Sequence, residues 1–336
     1  MEEQQSHTTV SVKHWQELLN TEIIRGLAGR DFLSLRDFTP GQIEALIDLA
    51  LALKQARSRG EPHPILGGRS LAMIFRKPST RTRVAFEVGM TELGGHALYL
   101  SANEIQLHRG ESLPDTARVL SRMVHGIVIR TFRQEEVEEM ARYASVPVIN
   151  GLTDLFHPTQ VLADLVTLRE KWGSLRGHRL AYVGDGNNMT HSLMFGAALM
   201  GMEMVVATPA EHGPDPAVLA EARQLAARYG GRVEWVQDPR EAVKGAEAVY
   251  TDTWVSMGQE GAGEEVEAKR ARLRPYQVNT ALLDLAAPGA LVMHCLPAHR
   301  GEEATDDVLD GPTSVIFDQA ENRLHAHKAI LAACLR

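Results

Sequence analysis

The chain has 336 residues, a formal net charge of −8, 44% hydrophobic and 23% charged residues, enough for about two domains with ordinary cores. The acidic balance excludes broad nonspecific nucleic-acid binding, which needs a basic surface, and no run of about 18 apolar residues marks a membrane span. Two cysteines, Cys295 and Cys334, give neither a disulfide framework nor a CxxC pair, which fits a reducing, cytoplasmic setting.

Residues 1–32 read as an N-terminal extension. Its opening, "MEEQQSHTTVSVKHW", is acidic and lacks the apolar core of a secretory signal. From there short β-branched runs alternate with helical stretches. Strands are predicted at 70–75, 96–100, 126–130 and 146–150, then at 179–184, 203–208, 233–236, 247–251, 290–294 and 314–318. Amphipathic stretches lie between them, at 134–144 and 238–246 for example. This alternation predicts parallel sheets with helices on both faces. Ten strands are many for one sheet, so the expected fold class is α/β, with two doubly wound parallel-sheet domains linked by helices. The boundaries read as 33–157 and 158–319. The helix at 158–173 connects the two, and a last helix at 320–336 packs back on the first domain. The Gly-rich polar segment 256–270 reads as a mobile loop leading into a helix.

In parallel α/β sheets ligands sit beyond the carboxyl ends of strands, and the chemically informative residues cluster there. "FRKPSTRTRVAF" (75–86) carries four cations and three hydroxyls between Arg76 and Arg83. Ser79 stands where a helix should begin, and a helix start attracts anions through its free N–H groups. Thr80, Arg81 and Thr82 add hydroxyls and a guanidinium that suits phosphate oxygens. A capped helix with solvated arginines is the plainer alternative, and the density of cations weighs against it. Arg130 ends a strand. His157 and Gln160 bracket the first turn of a helix begun by Pro158, where they can meet a carbonyl or phosphate oxygen, or His157 simply caps its loop.

"VGDGNNMTHS" (183–192) follows a strand, but Met189 occupies the third glycine position of GxGxxG, which disfavours a nicotinamide site. Asn187 and Asn188 offer amides for an amino-acid backbone, or fill turn positions. Asp252, in "DTWVSMG", follows another strand with Ser256 and Met257 close behind and suits a substrate ammonium. Cys295, in "HCLP", is either a reactive thiol beside His294 or a small buried hydrophobe. No CxxC, HExxH or DxDxDG spacing occurs, so no metal or other cofactor is expected.

The ordered set "STRTR" (79–83), "HPTQ" (157–160) and "HCLP" (294–297) resembles the aspartate/ornithine carbamoyltransferase family. "DTWVSMG" with "HCLP" resembles its ornithine branch, and "ANEIQL", "ESLPDTARVLSR" and "DGNNMTHSL" extend the likeness from about Leu33 onward. The resemblance implies carbamoyl transfer from carbamoyl phosphate to the δ-amine of L-ornithine, giving citrulline and phosphate. It implies that 33–157 binds carbamoyl phosphate and 158–319 binds ornithine. Carbamoyl phosphate would be held by Ser79, Thr80, Arg81 and Thr82, by Arg130, His157 and Gln160, and by Cys295, Leu296 and Arg323. Gln106 would reach such a site from a loop, in a neighbouring subunit. Asn188, Asp252, Ser256 and Met257 would bind ornithine. Cys295, Arg130, His157 and Asp252 would be the catalytic set, and the assembly would be a homotrimer or a multiple of trimers. The residues 1–32 and the stretch 258–266 depart from the family's shorter members. A putrescine or acylated-ornithine acceptor, a non-enzymatic phosphate-binding module and a nicotinamide dehydrogenase are the competing readings.

Overall fold

The computed structural model of the protein describes residues 14–255 and 263–336. Ser256, Met257 and most of the 258–266 stretch therefore lie outside the described residues, as do the first thirteen.

Among the described residues, nine strands form two sheets. In the first, β1 (Ser70–Phe75), β2 (His96–Ser101), β3 (Gly126–Arg130) and β4 (Val148–Leu152) lie in the order β2-β1-β3-β4. In the second, β5 (Arg179–Val183), β6 (Glu203–Ala207), β7 (Arg232–Val236), β8 (Ala248–Thr251) and β9 (Leu291–His294) lie in the order β7-β6-β5-β8-β9. Every pair is parallel. The central strands are apolar and buried on both faces apart from polar residues at their ends, as parallel strands covered by helices require.

The helices, in chain order, begin with α1 (Trp15–Leu19), α2 (Glu22–Arg25), α3 (Pro40–Ser58), α4 (Thr80–Glu92) and α5 (Leu113–Leu120). Then come α6 (Gln134–Tyr143), α7 (Pro158–Trp172), α8 (Asn188–Leu199), α9 (Pro216–Tyr229) and α10 (Pro239–Val243). The series closes with α11 (Glu264–Leu273), α12 (Thr280–Leu283), α13 (Asp306–Leu309) and α14 (Ile316–Cys334). Their starts follow local chemistry. Thr39 and Gln42 make a reciprocal capping box on α3, and Pro occupies the first turn of α3, α7 and α9, where its missing N–H costs nothing.

The expected tenth strand at 314–318 does not form. Only Ser314 bridges to Val292, and from Ile316 the chain is already helical. The β-type run is four residues long, whereas the segment that follows supports a nineteen-residue helix that reaches back over it. Strand β4 also runs two residues later than expected. Pro147 offers only its carbonyl, to Ile127, and a register shift at Ile129/Arg130 draws pairing out to Leu152.

Helix α7 leads from the first sheet to the second and is buried from Pro158 to Leu168. Helix α14 starts beside β9 and packs on α7, α3 and α4. One hydrophobic cluster runs through these helices into both sheets, and two others fill the opposite faces.

Candidate active site

The carboxyl ends of both sheets open on one cavity of about 670 Å³. In each sheet the chain reverses its direction of strand addition beside the first strand, between β1 and β3 and between β5 and β8. Such switch points leave a crevice between diverging loops, and here the two crevices face each other.

At the first crevice, β1 runs into α4. Ser79 is extended and its Oγ accepts from the Thr82 N–H at 3.3 Å, capping the helix so that its remaining first-turn N–H groups point outward. Arg81 reaches the cavity from this turn, Arg130 from the end of β3 and Arg323 from α14. The Nε atoms of all three are buried and make no hydrogen bond among the described residues. Three guanidiniums with unused donors around one space constitute an oxyanion site. Burial, followed by the neighbouring guanidinium Arg323, lowers the pKa of Arg130 to about 9. Burial lowers that of Arg323 to about 10, with Arg81 adding to it. Both remain cationic at neutral pH, and a bound anion would relieve their repulsion.

Thr80 lines the cavity, whereas the Thr82 hydroxyl lies beneath the wall. It accepts from Ser79 Oγ at 2.9 Å and from Arg323 Nη2 at 2.5 Å, so it aims the arginine. His157 caps α7 with its N–H bonded to Ser192 Oγ at 2.8 Å. Burial and the charges of Arg323 and Arg130 hold its imidazole well below the usual pKa, so it is neutral. Gln160 is fully buried, donates from Nε2 to Asp164 at 2.9 Å, and keeps an Oε1 that accepts from no described residue.

At the second crevice β5 runs into α8. Asn187 caps the helix, its Oδ1 accepting from the N–H groups of Met189 and Thr190 at 2.9 and 3.3 Å. Its Nδ2 donates to Asp252 Oδ2 at 2.9 Å. Asn188 donates to the Thr153 carbonyl at 2.6 Å, tying α8 to the first domain's last loop. The Cys295 thiol donates to Asp252 Oδ1 at 3.0 Å. Burial and the Asp252 charge push the thiol pKa well up, which favours a neutral thiol donor over a thiolate nucleophile. His294 faces away: its Nδ1 accepts from the Leu296 N–H at 2.8 Å and its Nε2 lies 3.1 Å from Glu303. Leu296 has a positive φ of 59° and precedes a cis proline. Asp252, His294 and Cys295 bring ligand-type atoms within 4.8 Å of one another, yet each is engaged in these bonds.

Of the expected residues, the cavity wall thus holds Ser79, Thr80, Arg81, Arg130, His157, Gln160, Asn188, Asp252, Cys295, Leu296 and Arg323. Gln106 lies on an exposed 3-10 turn (Gln106–Arg109) outside that wall. The cavity also includes Asp185 and Lys269, an ion pair at 2.8 Å that sequence reasoning passed over. Asp185 sits in "VGDGNN" and Lys269 in a charged helix 84 residues later, so only the fold pairs them. Lys77 is likewise a wall residue, nearly buried and bonded to Asp154.

Residues 30–170 match the aspartate/ornithine carbamoyltransferase carbamoyl-P binding domain, and residues 176–334 match that family's Asp/Orn binding domain. The chain belongs to the aspartate/ornithine carbamoyltransferase family. Carbamoyltransferases similar to it include the ornithine carbamoyltransferase of Thermococcus kodakarensis, 54% identical over 92% of this chain and 98% of that one. That of Symbiobacterium thermophilum is 56% identical over 91% and 97%. The solved ornithine carbamoyltransferase of Pyrococcus furiosus superposes with a TM-score of 0.89 at 54% identity, over 92% of this chain and 98% of that chain.

Proposed function

We propose that the protein transfers the carbamoyl group of carbamoyl phosphate to the δ-amine of L-ornithine, releasing citrulline and phosphate. The observation that carries this reading is the single cavity in which an arginine-lined helix start faces a carboxylate–amide–thiol cluster. One end suits a dianionic phosphate and the other an aliphatic ammonium.

In this reading Ser79, Thr80 and Arg81 hold the phosphate, with Thr82 fixing Arg323 behind it. Arg130 and His157 face the carbonyl oxygen, where negative charge develops as the amine attacks. Removing one such donor typically costs about 2.7–4 kcal/mol of barrier. Gln160 Oε1 accepts from the carbamoyl –NH2. Asp252, steadied by Asn187 and Cys295, orients the δ-amine, and Asn188 with Ser256 and Met257 holds the amino-acid end. The amine in its neutral form adds to the carbonyl carbon, the tetrahedral intermediate collapses, and the C–O bond to phosphate breaks. Because the Cys295 thiol keeps its own proton, the departing phosphate is the base that takes the amine's. Holding both reactants in line supplies much of the rate, since orientation is worth roughly 7–11 kcal/mol.

The proposed division is 33–157 for carbamoyl phosphate and 158–319 for ornithine, with α14 returning to the first domain. Gln106, exposed and outside its own chain's cavity, supports sites shared between subunits of a homotrimer or a multiple of trimers, which sedimentation would size. No helix among the described residues is long and apolar enough to cross a membrane, and a cytoplasmic location is proposed. The P. furiosus relative is named anabolic, which supports the citrulline-forming direction. A colorimetric citrulline assay with carbamoyl phosphate, offering ornithine, putrescine, N-acetylornithine and aspartate in parallel, tests the reading. Product with ornithine is expected, and no ureido product with any amine would sink it.

A further inference from the structure

The carboxyl group of Asp164 lies one turn along α7 from Gln160, is fully buried, and is outside the cavity wall. Three donors converge on it. Gln160 Nε2 and Gln319 Nε2 reach Oδ1 at 2.9 and 2.8 Å, and the Tyr250 hydroxyl reaches Oδ2 at 3.2 Å. Gln319 Nε2 also donates to the Tyr250 hydroxyl at 2.9 Å, while Gln319 Oε1 accepts from the His294 N–H at 3.0 Å. One network therefore joins α7, β8, the end of β9 and α14. Each of these three partners donates to the acid, two of them to the same oxygen. Burial outweighs the three hydrogen bonds and then Arg323, and its pKa is raised to about 7.

Oδ1 accepts from both amides and can do so with or without a proton on Oδ2, so the amide facing it turns its –NH2 inward. The other edge of Gln160, Oε1, is buried on a side chain that lines the cavity, and no described residue donates to it. We infer that Asp164 is a positioning residue: it locks the Gln160 amide with its oxygen toward the donor substrate, so that the pocket selects an acyl phosphate bearing N–H over one bearing a methyl group. This rests on the carbamoyl-transfer reading above. Carbamoyl phosphate and acetyl phosphate share size, charge and the phosphate grip, so Arg81 and the helix start bind them alike. Against a methyl group the buried Oε1 is left unpaired, and an unpaired buried acceptor is costly.

The test compares the KM for carbamoyl phosphate with the Ki of acetyl phosphate as its competitive inhibitor, both in the citrulline assay. Asp164→Asn offers Gln160 an amide in place of a pure acceptor and lets its –NH2 turn to the cavity. The KM for carbamoyl phosphate should rise roughly tenfold to a hundredfold, with the acetyl phosphate Ki nearly constant, so the ratio narrows. A folded Asp164→Asn enzyme with the wild-type ratio overturns the inference. Tyr250→Phe removes the Oδ2 donor and leaves both Oδ1 bonds, so it should lower the melting temperature and keep the ratio. Equal narrowing in Tyr250→Phe would mean general loosening and also overturns it. Should Asp164→Asn fail to fold, Gln319→Leu frees the carboxylate from its second anchor and should narrow the ratio in part, and an unchanged ratio there is equally fatal. Wild-type enzyme that makes no citrulline sinks the functional reading itself, whereas active wild type with unmoved variant ratios sinks only the role of Asp164.

Discussion

The two sheets present the same turn twice with opposite charge. In each, the first strand runs into a capped helix, β1 to Ser79 and α4, β5 to Asn187 and α8. In each, the strand across the switch point ends beside that cap, β3 with Arg130 and β8 just before Asp252. The four-stranded sheet surrounds its crevice with buried guanidiniums, and the five-stranded sheet supplies a carboxylate, two amides and a thiol. Backbone topology decides where a ligand sits, and a few side chains decide its charge. In the proposed reaction, two substrates of opposite sign would be sorted to opposite walls before any bond changes.

This comparison can be broken most forcefully at Arg81. Arg81→Ala leaves Arg130 and Arg323 without their shared anion, and carbamoyl phosphate affinity should fall at least about 100-fold. Near-normal binding in calorimetry would refute the cationic wall. Asp252→Asn should cut kcat/KM for ornithine about 100-fold while barely changing the KM for carbamoyl phosphate, and the converse pattern would reverse the two walls.

The cationic side should also refuse further protons. His157 is fully buried and holds a folded pKa below its ordinary 6.5, through burial, Arg323 and Arg130. Below about pH 6.5 the unfolded chain therefore binds a proton the fold does not. Its contribution to unfolding free energy is whole above pH 6.5 and falls as pH drops, by roughly 1–2 kcal/mol at pH 5. Urea titrations of wild type and His157→Gln should diverge in slope over that window, and parallel curves would mean that His157 charges freely. The smallest effect belongs to Cys295→Ser. Ornithine KM should rise about tenfold with carbamoyl phosphate binding little altered, and unchanged ornithine constants would take the thiol out of the acceptor wall.

Sequence reasoning reached the crevices because strand-to-helix turns are local events. A β-branched run, then Ser or Asn, then an amphipathic stretch marks the place, and the residue types at Arg81, Arg130 and Asp252 mark the charge. It failed where meaning depends on a distant partner. "SVIFD" reads as a strand by composition, yet the long helix that follows claims it from Ile316. Asp164 is unremarkable within "VLADLV" until Tyr250 and Gln319, 86 and 155 residues away, close on it. Thr82 reads as a ligand from its motif, and only the fold shows that Arg323, 241 residues further on, donates to its hydroxyl.

Helix α14 belongs to neither sheet, yet it packs on α3, α4 and α7 and starts beside β9. Both sheets can pair their strands from residues up to His294, yet the phosphate wall needs Arg323 and the amide lock needs Gln319, both on α14. Removing α14 would therefore leave every strand of both sheets in place while taking the Arg323 guanidinium from the cavity and the Gln319 amide from Asp164.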